Sequence, residues 1–268
     1  MSRFAHGWLA LREPYDRAAR SGVLADRFAT ALGPAPRLID LGCGTGANLR
    51  YLAPRLAQAQ RWLCLDRDQE LLARAAEAAD AHRRSEAAWQ GEVRFEALDL
   101  ATGLDTLLLD HAGITASALL DLASAAWLDT LAARCGRAPM LMALCFDGRL
   151  SWHPALAEDD LVRDRFLAHQ RTDKGFGPAL GPDAASHLAA RLEAGGQRVA
   201  TEASDWRLGA ADRTLLEAML DGVLAAAAEV QDDRRLAGWA RRRRRQLAQG
   251  ELGLTVGHVD LLALPGPP

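Results

Sequence analysis

No two cysteines in this chain stand close enough in sequence to suggest a shared site. The four present, Cys43, Cys64, Cys135 and Cys145, are scattered, and no C-x-x-C occurs. This argues against a zinc site or a disulfide framework and for a reducing cytoplasm, so no metal is expected. Long apolar runs are missing too. The start of the chain meets Arg12 and Glu13 before any run of signal length, and no stretch of membrane-spanning length avoids charge. No membrane partner is therefore expected. Neither sign of charge is in excess: the net charge is −3 over 268 residues, which gives no reason to expect a polyanion such as nucleic acid. Lysine is almost absent, with Lys174 alone among 32 basic residues, and together with abundant alanine this fits a GC-rich bacterial genome. Internal repeats and low-complexity linkers are lacking as well, so a single domain is expected over 1–268.

What is present is an ordinary globular composition, 49% hydrophobic and 25% charged, organised around one stretch, Arg37-Leu-Ile-Asp-Leu-Gly-Cys-Gly-Thr-Gly-Ala47. A short apolar run carries one acid, Asp40, and breaks into glycines at Gly42, Gly44 and Gly46, after which Asn48 to Ala53 has helical character. A buried strand, a turn without side chains and a helix start make a cradle where a polar ligand meets backbone. Gly42, Gly44 and Ala47 also satisfy the G-x-G-x-x-G/A dinucleotide fingerprint, which keeps an NAD(P)-dependent oxidoreductase as an alternative.

Strand-like and helix-like segments alternate after the loop. Arg61 to Asp66 is a short apolar run ending in an acid, and Gln69 to Ala81 reads as a helix. Val93 to Asp99 alternates like a strand and again ends in an acid. Ile114 to Leu122 looks buried, and Pro139 to Phe146 is a further apolar strand. This β-α repetition argues for a parallel sheet with helices on both faces. Residues 1–36 read as a helical cap, and 147–182, mixing glycine, proline, aromatics and histidines, as an insertion on the substrate side. A helix from Asp183, a strand over Gln197–Trp206, two helices over 214–230 and 232–249, and a last strand over Thr255–Leu264 complete the pattern. The run Arg241 to Arg245 wraps more than one helix face and has acids nearby, so it reads as a solvated helix rather than an RNA-binding stripe.

The D-L-G-C-G-T-G loop with an acid two residues before its first glycine resembles the first motif of the class I S-adenosylmethionine (SAM) methyltransferases. The resemblance is specific over residues 37–125 and architectural to 264. It implies a Rossmann-like α/β fold, a seven-stranded mostly parallel sheet with an antiparallel closing strand. It further implies SAM as cofactor, S-adenosylhomocysteine as product, and a cofactor site built from Asp40, Gly42, Cys43, Gly44, Gly46, Asp66, Arg67, Asp99, Leu100 and Asp121. Asp66 would take the ribose hydroxyls, Asp99 and Leu100 the adenine, and Asp40 and Asp121 the methionyl end. The region around Leu120-Asp-Leu-Ala123 lacks the proline-aromatic motif of amino-group nucleic-acid enzymes, and no Pro-Cys nucleophile is present. A small-molecule acceptor methylated on oxygen or nitrogen is therefore expected. A non-catalytic SAM-binding protein is the other alternative. Methyl transfer to a hydroxyl or protonated amine asks for a base, for which His153 and His169 are the candidates. Trp127, Trp152 and Phe176 are candidate acceptor walls and Lys174 a partner for an anionic group. The identity of the acceptor and the oligomeric state stay open.

Overall fold

A computed structural model describes residues 6–57, 59–85, 90–107 and 113–266, so the ends of the expected single domain at 1–5 and 267–268 lie outside the described residues. The order of elements is α1 (His6–Ala19), α2 (Gly22–Leu32), β1 (Arg37–Leu41), α3 (Ala47–Leu52), β2 (Ala59–Asp66), α4 (Gln69–Ser85), β3 (Gln90–Ala97) and α5 (Leu100–Gly103). Then follow β4 (Gly113–Ser117), α6 (Ala125–Cys135), β5 (Met140–His153), α7 (Asp159–Gln170), α8 (Ala184–Ala194), β6 (Gln197–Ala203), β7 (Trp206–Leu208), α9 (Arg213–Val230), α10 (Arg234–Gln249) and β8 (Gly253–Pro265). Local signals set the helix ends. Ser21 and Asp233 accept the backbone N–H groups of Leu24 and Leu236 at 3.0 Å each and so start α2 and α10, while Gly250 in a left-handed conformation stops α10.

The sheet runs β3-β2-β1-β4-β5-β8-β6, with β7 pairing β8 off this path. The first five strands in that order are parallel to one another, and β8 is antiparallel to β5, β6 and β7. The Rossmann-like α/β fold is thus present, with one strand more than the seven expected. The single strand read over 197–206 divides at Ser204-Asp205. Thirteen-residue β8 outruns β6, and its first residues pair instead with Trp206 and Leu208, both buried on either side of exposed Arg207.

Period-two alternation explains how the sheet takes helices on both faces. Ile39, Leu41, Leu65, Met140 and Met142 pack on one side with Leu128 and Leu131 of α6 and Leu188 and Leu192 of α8. Leu38, Trp62, Cys64, Leu141 and Leu262 pack on the other with Leu24 and Phe28 of α2, Leu49 and Leu52 of α3 and Leu72 of α4. Each such leucine, fully buried, contributes roughly 1.5–3 kcal/mol relative to exposure.

A third core lies beyond the strand ends, and it corrects two expectations. Residues 147–153 are not insertion but the continuation of β5, with Leu150 and Trp152 buried and Arg149, Ser151 and His153 exposed. Only α7 and the loop after it form an excursion. Leu150 and Trp152 pack there with Val162, Leu216, Leu220 and Trp239. The arginine run is not simply solvated: Arg241, Arg244 and Arg245 are exposed, but Arg243 has no exposed surface. Its guanidinium lies 5.6 Å from the ring centre of Trp152 and 5.7 Å from that of Trp239, donates to the Pro154 carbonyl at 2.6 Å and to Asp159 Oδ2 at 2.5 Å, and Trp239 Nε1 donates to Asp159 at 2.7 Å. A buried guanidinium requires such a set of acceptors, because its desolvation is costly.

Candidate functional site

A cleft of about 1030 Å³ opens at the carboxyl ends of β1, β2, β3 and β4, where an open parallel sheet places its ligands, and runs along the middle of β5. One half is built from the glycine turn. Cys43 N–H donates to the Leu65 carbonyl at 2.8 Å, Gly44 N–H to Asp66 Oδ2 at 2.9 Å, and Arg50 to the Thr45 carbonyl at 2.6 Å. Gly42 has φ +67°, and a Cβ there would meet Leu119 at 3.1 Å; Gly44, φ +53°, faces the cleft beneath Leu9. Both conformations suit glycine, and a side chain at either position would intrude on the cradle.

Gly42, Cys43, Gly44, Asp66, Arg67, Asp99, Leu100 and Asp121 all line this cleft. The carboxylate of Asp66 accepts Gly44 N–H with one oxygen and Asp68 N–H at 2.9 Å with the other, and a carboxylate that accepts one bond per oxygen has capacity for more at the cleft wall it forms. Asp99 caps α5 by accepting Ala101 N–H at 3.0 Å. Asp121 is half-buried, and burial pushes its pKa up to about 6 against the opposing charge of Arg12. The donor set fits a SAM molecule: a carboxylate with free lone pairs for a ribose, a polar-apolar rim at Asp99-Leu100 for a purine, and a backbone turn that leaves room.

Two expected cofactor residues stand elsewhere. Gly46 begins α3 in a left-handed conformation and is not among the cleft walls. Asp40 is wholly buried under the turn, where Asn48 Nδ2 donates to Oδ1 at 2.6 Å and Oδ2 has no partner. Burial, opposed by Asn48 and Arg20, pushes its pKa up to about 7. Asn48 also donates to Thr115 at 3.1 Å and accepts from buried Arg20 at 2.7 Å. Asp40 thus reaches the cleft only through Asn48, itself a wall residue.

The other half of the cleft lies under α7, α9 and the start of α1. His169, Lys174 and Phe176 line it; Trp127, Trp152 and His153 do not. Trp127 is buried behind the wall. Its Nε1 donates to the Leu100 carbonyl at 2.7 Å, and its ring meets Phe176 edge-on at 5.2 Å, so it fixes two wall residues. Trp152 belongs to the third core, and exposed His153 lies at the far end of β5, paired with Gly253. His169 Nε2 lies 3.2 Å from Glu229 and 3.4 Å from Lys174 Nζ, and burial draws the lysine pKa down.

Several wall residues carry no sequence motif. Trp8, Arg12 and Asp16 come from the N-terminal helix, Ala218, Gly222 and Ala226 from one stripe of α9, and His258 from β8. The spacing of small residues at four-residue intervals in 218–226 is the one signal that a helix face leaves room for something. Backbone shape adds to the floor: Ala118 and Leu144, both non-glycine, have φ +52° and +54°, and the Leu144 N–H is held by Asp260 at 2.8 Å. Such conformations cost of order 1–3 kcal/mol and cluster where sites need a particular backbone path. Among the described residues no group of acids, histidines and cysteines is arranged to hold a metal, and no helix is long and apolar enough to cross a membrane.

Comparison with known proteins agrees with this geometry. Residues 38–136 match the sequence model of a family described as a methyltransferase domain. No curated protein matches the chain. Among solved structures, a proposed methyltransferase of Bacillus halodurans C-125 aligns with TM-score 0.50 at 11% identity over 91% of this chain and 97% of that one. A cyclopropane synthase from Mycobacterium tuberculosis aligns with TM-score 0.46 at 14% identity over 90% and 83%. A proposed sarcosine dimethylglycine methyltransferase of Galdieria sulphuraria gives 0.45 at 14% over 91% and 84%. At such identities the likeness speaks to the fold alone, and only the first is close enough to carry that.

Proposed function

We propose that this chain is a class I SAM-dependent methyltransferase that methylates an oxygen or nitrogen atom of a small organic acceptor, a reading supported by the match of residues 38–136 to a methyltransferase-domain family. The observation that carries the reading is the continuity of the cleft: the glycine turn and Asp66 line one half, and the other half, under α7 and α9, is lined by Phe146, Phe166, Phe176 and Met219. Bound SAM supplies a methyl group already activated on a sulfonium. The chain's own part is to align and to keep water out. Asp66 and the Asp99-Leu100 corner fix the donor end, Phe176 and α9 crowd the acceptor against it, and orientation of this kind can be worth roughly 7–11 kcal/mol. His169 and Lys174 stand at the mouth, where they meet a polar or anionic part of the acceptor. His169 serves there as a binding group rather than as the base, since Glu229 lies 3.2 Å from its Nε2 and the Lys174 ammonium 3.4 Å from its Nδ1. The arginine run supports a small acceptor over a nucleic acid: Arg242, Arg243 and Arg244 are paired with Glu158, Asp159 and Asp221.

Calorimetric titration with SAM, S-adenosylhomocysteine and NADPH side by side tests the reading. Micromolar binding of the first two alone is expected, followed by transfer of labelled methyl into a small-molecule acceptor panel. Binding of the dinucleotide alone overturns it.

A further inference from the structure

The inner half of the cleft is bordered by a buried imidazole with an unpartnered ring nitrogen. His258 on β8 is 5% exposed, borders the cleft, and its Nδ1 has no hydrogen-bond partner. The ring is fixed by packing instead, 5.2 Å from the ring of Trp206 and 6.3 Å from that of Phe146. Trp206 is itself held in place, because its Nε1 donates to Asp16 at 3.1 Å. The cleft walls include Phe146, Phe166, Met219, Val223 and Val256, with Arg12 and Asp16 of α1 the charged exceptions near Trp206. A neutral imidazole has one donor and one acceptor nitrogen, and leaving either without a partner when buried is costly.

Resting on the methyltransferase reading, we propose that this chamber takes a hydrophobic acceptor bearing a hydroxyl group, and that His258 accepts the hydrogen bond and then the proton of that hydroxyl. The location fits: His258 borders the same continuous cleft as the glycine turn, Asp66 and Asp121. The protonation state fits as well. Burial first and then the charge of Arg12 on α1 draw its pKa down to about 4, against Asp147 on β5, Asp205 before β7 and the Val256 carbonyl. The ring is therefore neutral and able to accept at physiological pH. A weakly basic imidazole suffices, because the hydroxyl proton becomes strongly acidic as its oxygen gains a bond to carbon. As the acceptor oxygen bonds the methyl carbon, the carbon–sulfur electron pair stays on sulfur, the O–H bond breaks and its proton passes to His258, which returns it to water. The positive charge lost from sulfur appears on the imidazole, so the cleft keeps its net charge.

The test uses the full chain saturated with S-adenosylhomocysteine, and two probes of the same shape, 2-naphthol and 2-methoxynaphthalene. Wild type is expected to bind the naphthol at least tenfold more tightly than its methyl ether. His258→Phe, which keeps the ring packing, is expected to bind both alike while its affinity for S-adenosylhomocysteine stays within twofold; His258→Gln serves if the phenylalanine variant does not fold. In a ring-labelled sample the His258 signal is expected to stay unchanged between pH 5.5 and 8 and to move when naphthol is added. Equal naphthol binding by wild type and variant, no preference for the hydroxyl, or no naphthol binding at all overturns the proposal. Failure to bind S-adenosylhomocysteine overturns instead the reading on which it rests.

Discussion

Asp66 accepts the backbone N–H of Gly44 at 2.9 Å, so the acid that ends β2 holds the turn that follows β1. The same carboxylate therefore shapes the cradle and, through its remaining lone pairs, meets what lies in it. Asp66→Ala is expected to weaken S-adenosylhomocysteine binding at least tenfold by calorimetry. Loss of two backbone hydrogen bonds should also lower stability by about 1–3 kcal/mol while leaving the circular dichroism spectrum native. Unchanged affinity would remove Asp66 from the site.

Asp40 gives the protein a pH dependence of unusual sign. Its folded pKa, about 7, lies above the ordinary carboxylate value, so the native state holds a proton that the unfolded chain has released. Its contribution to stability is greatest below about pH 4 and is lost as pH rises to 7, with a slope of at most about 1.4 kcal/mol per pH unit. Asp121, raised to about 6, adds in the same direction. Asp40→Asn is expected to flatten the melting temperature between pH 4 and 7 relative to wild type. An undiminished slope would show that Asp40 is not the group responsible.

Arg243→Met leaves Asp159 without its guanidinium inside the third core. Breaking such a pair by removing one partner costs roughly 3–5 kcal/mol. Arg241→Ala and Arg245→Ala, by contrast, act on exposed side chains and are expected to stay within about 0.5 kcal/mol of wild type. Chemical denaturation of the three variants separates a structural arginine from its solvated neighbours.

Gly222 lies on the stripe of α9 that lines the cleft, and a Cβ added there meets nothing within 4 Å. Gly222→Leu should fold as well as wild type, with up to about 1 kcal/mol of helix propensity gained, yet fill the acceptor half. Affinity for S-adenosylhomocysteine should stay within twofold while methyl transfer falls at least tenfold. Undiminished transfer would place the acceptor elsewhere.

The donor half of the site was legible because its chemistry is local in sequence: a glycine turn after one strand and acids closing the next two. Asp40 carries the same sequence signal but sits one layer down, where only the Asn48 contact reveals it. The acceptor half has no such signature. His258 looks like any strand residue until β8 is seen beside Phe146, and Trp152 looks like a binding aromatic until Arg243 and Trp239 enclose it. Strand β7 was missed because three residues, Trp206 to Leu208, carry too little alternation. The second half of β5 was missed although Leu150 and Trp152 do alternate, because Asp147-Gly148 reads as a strand end.

Strand β8 mechanically couples the two halves. His258 and Asp260 are two residues apart and so share one face of it. The first borders the acceptor chamber, while the second grips the N–H groups of Leu144 and Ser21 and so ties the cleft floor to the start of α2. A slip of β8 by a single residue would turn both side chains to the opposite face at once. Acceptor recognition and the seating of the N-terminal helices are thereby locked to one register, and neither can be retuned by shifting this strand without disturbing the other.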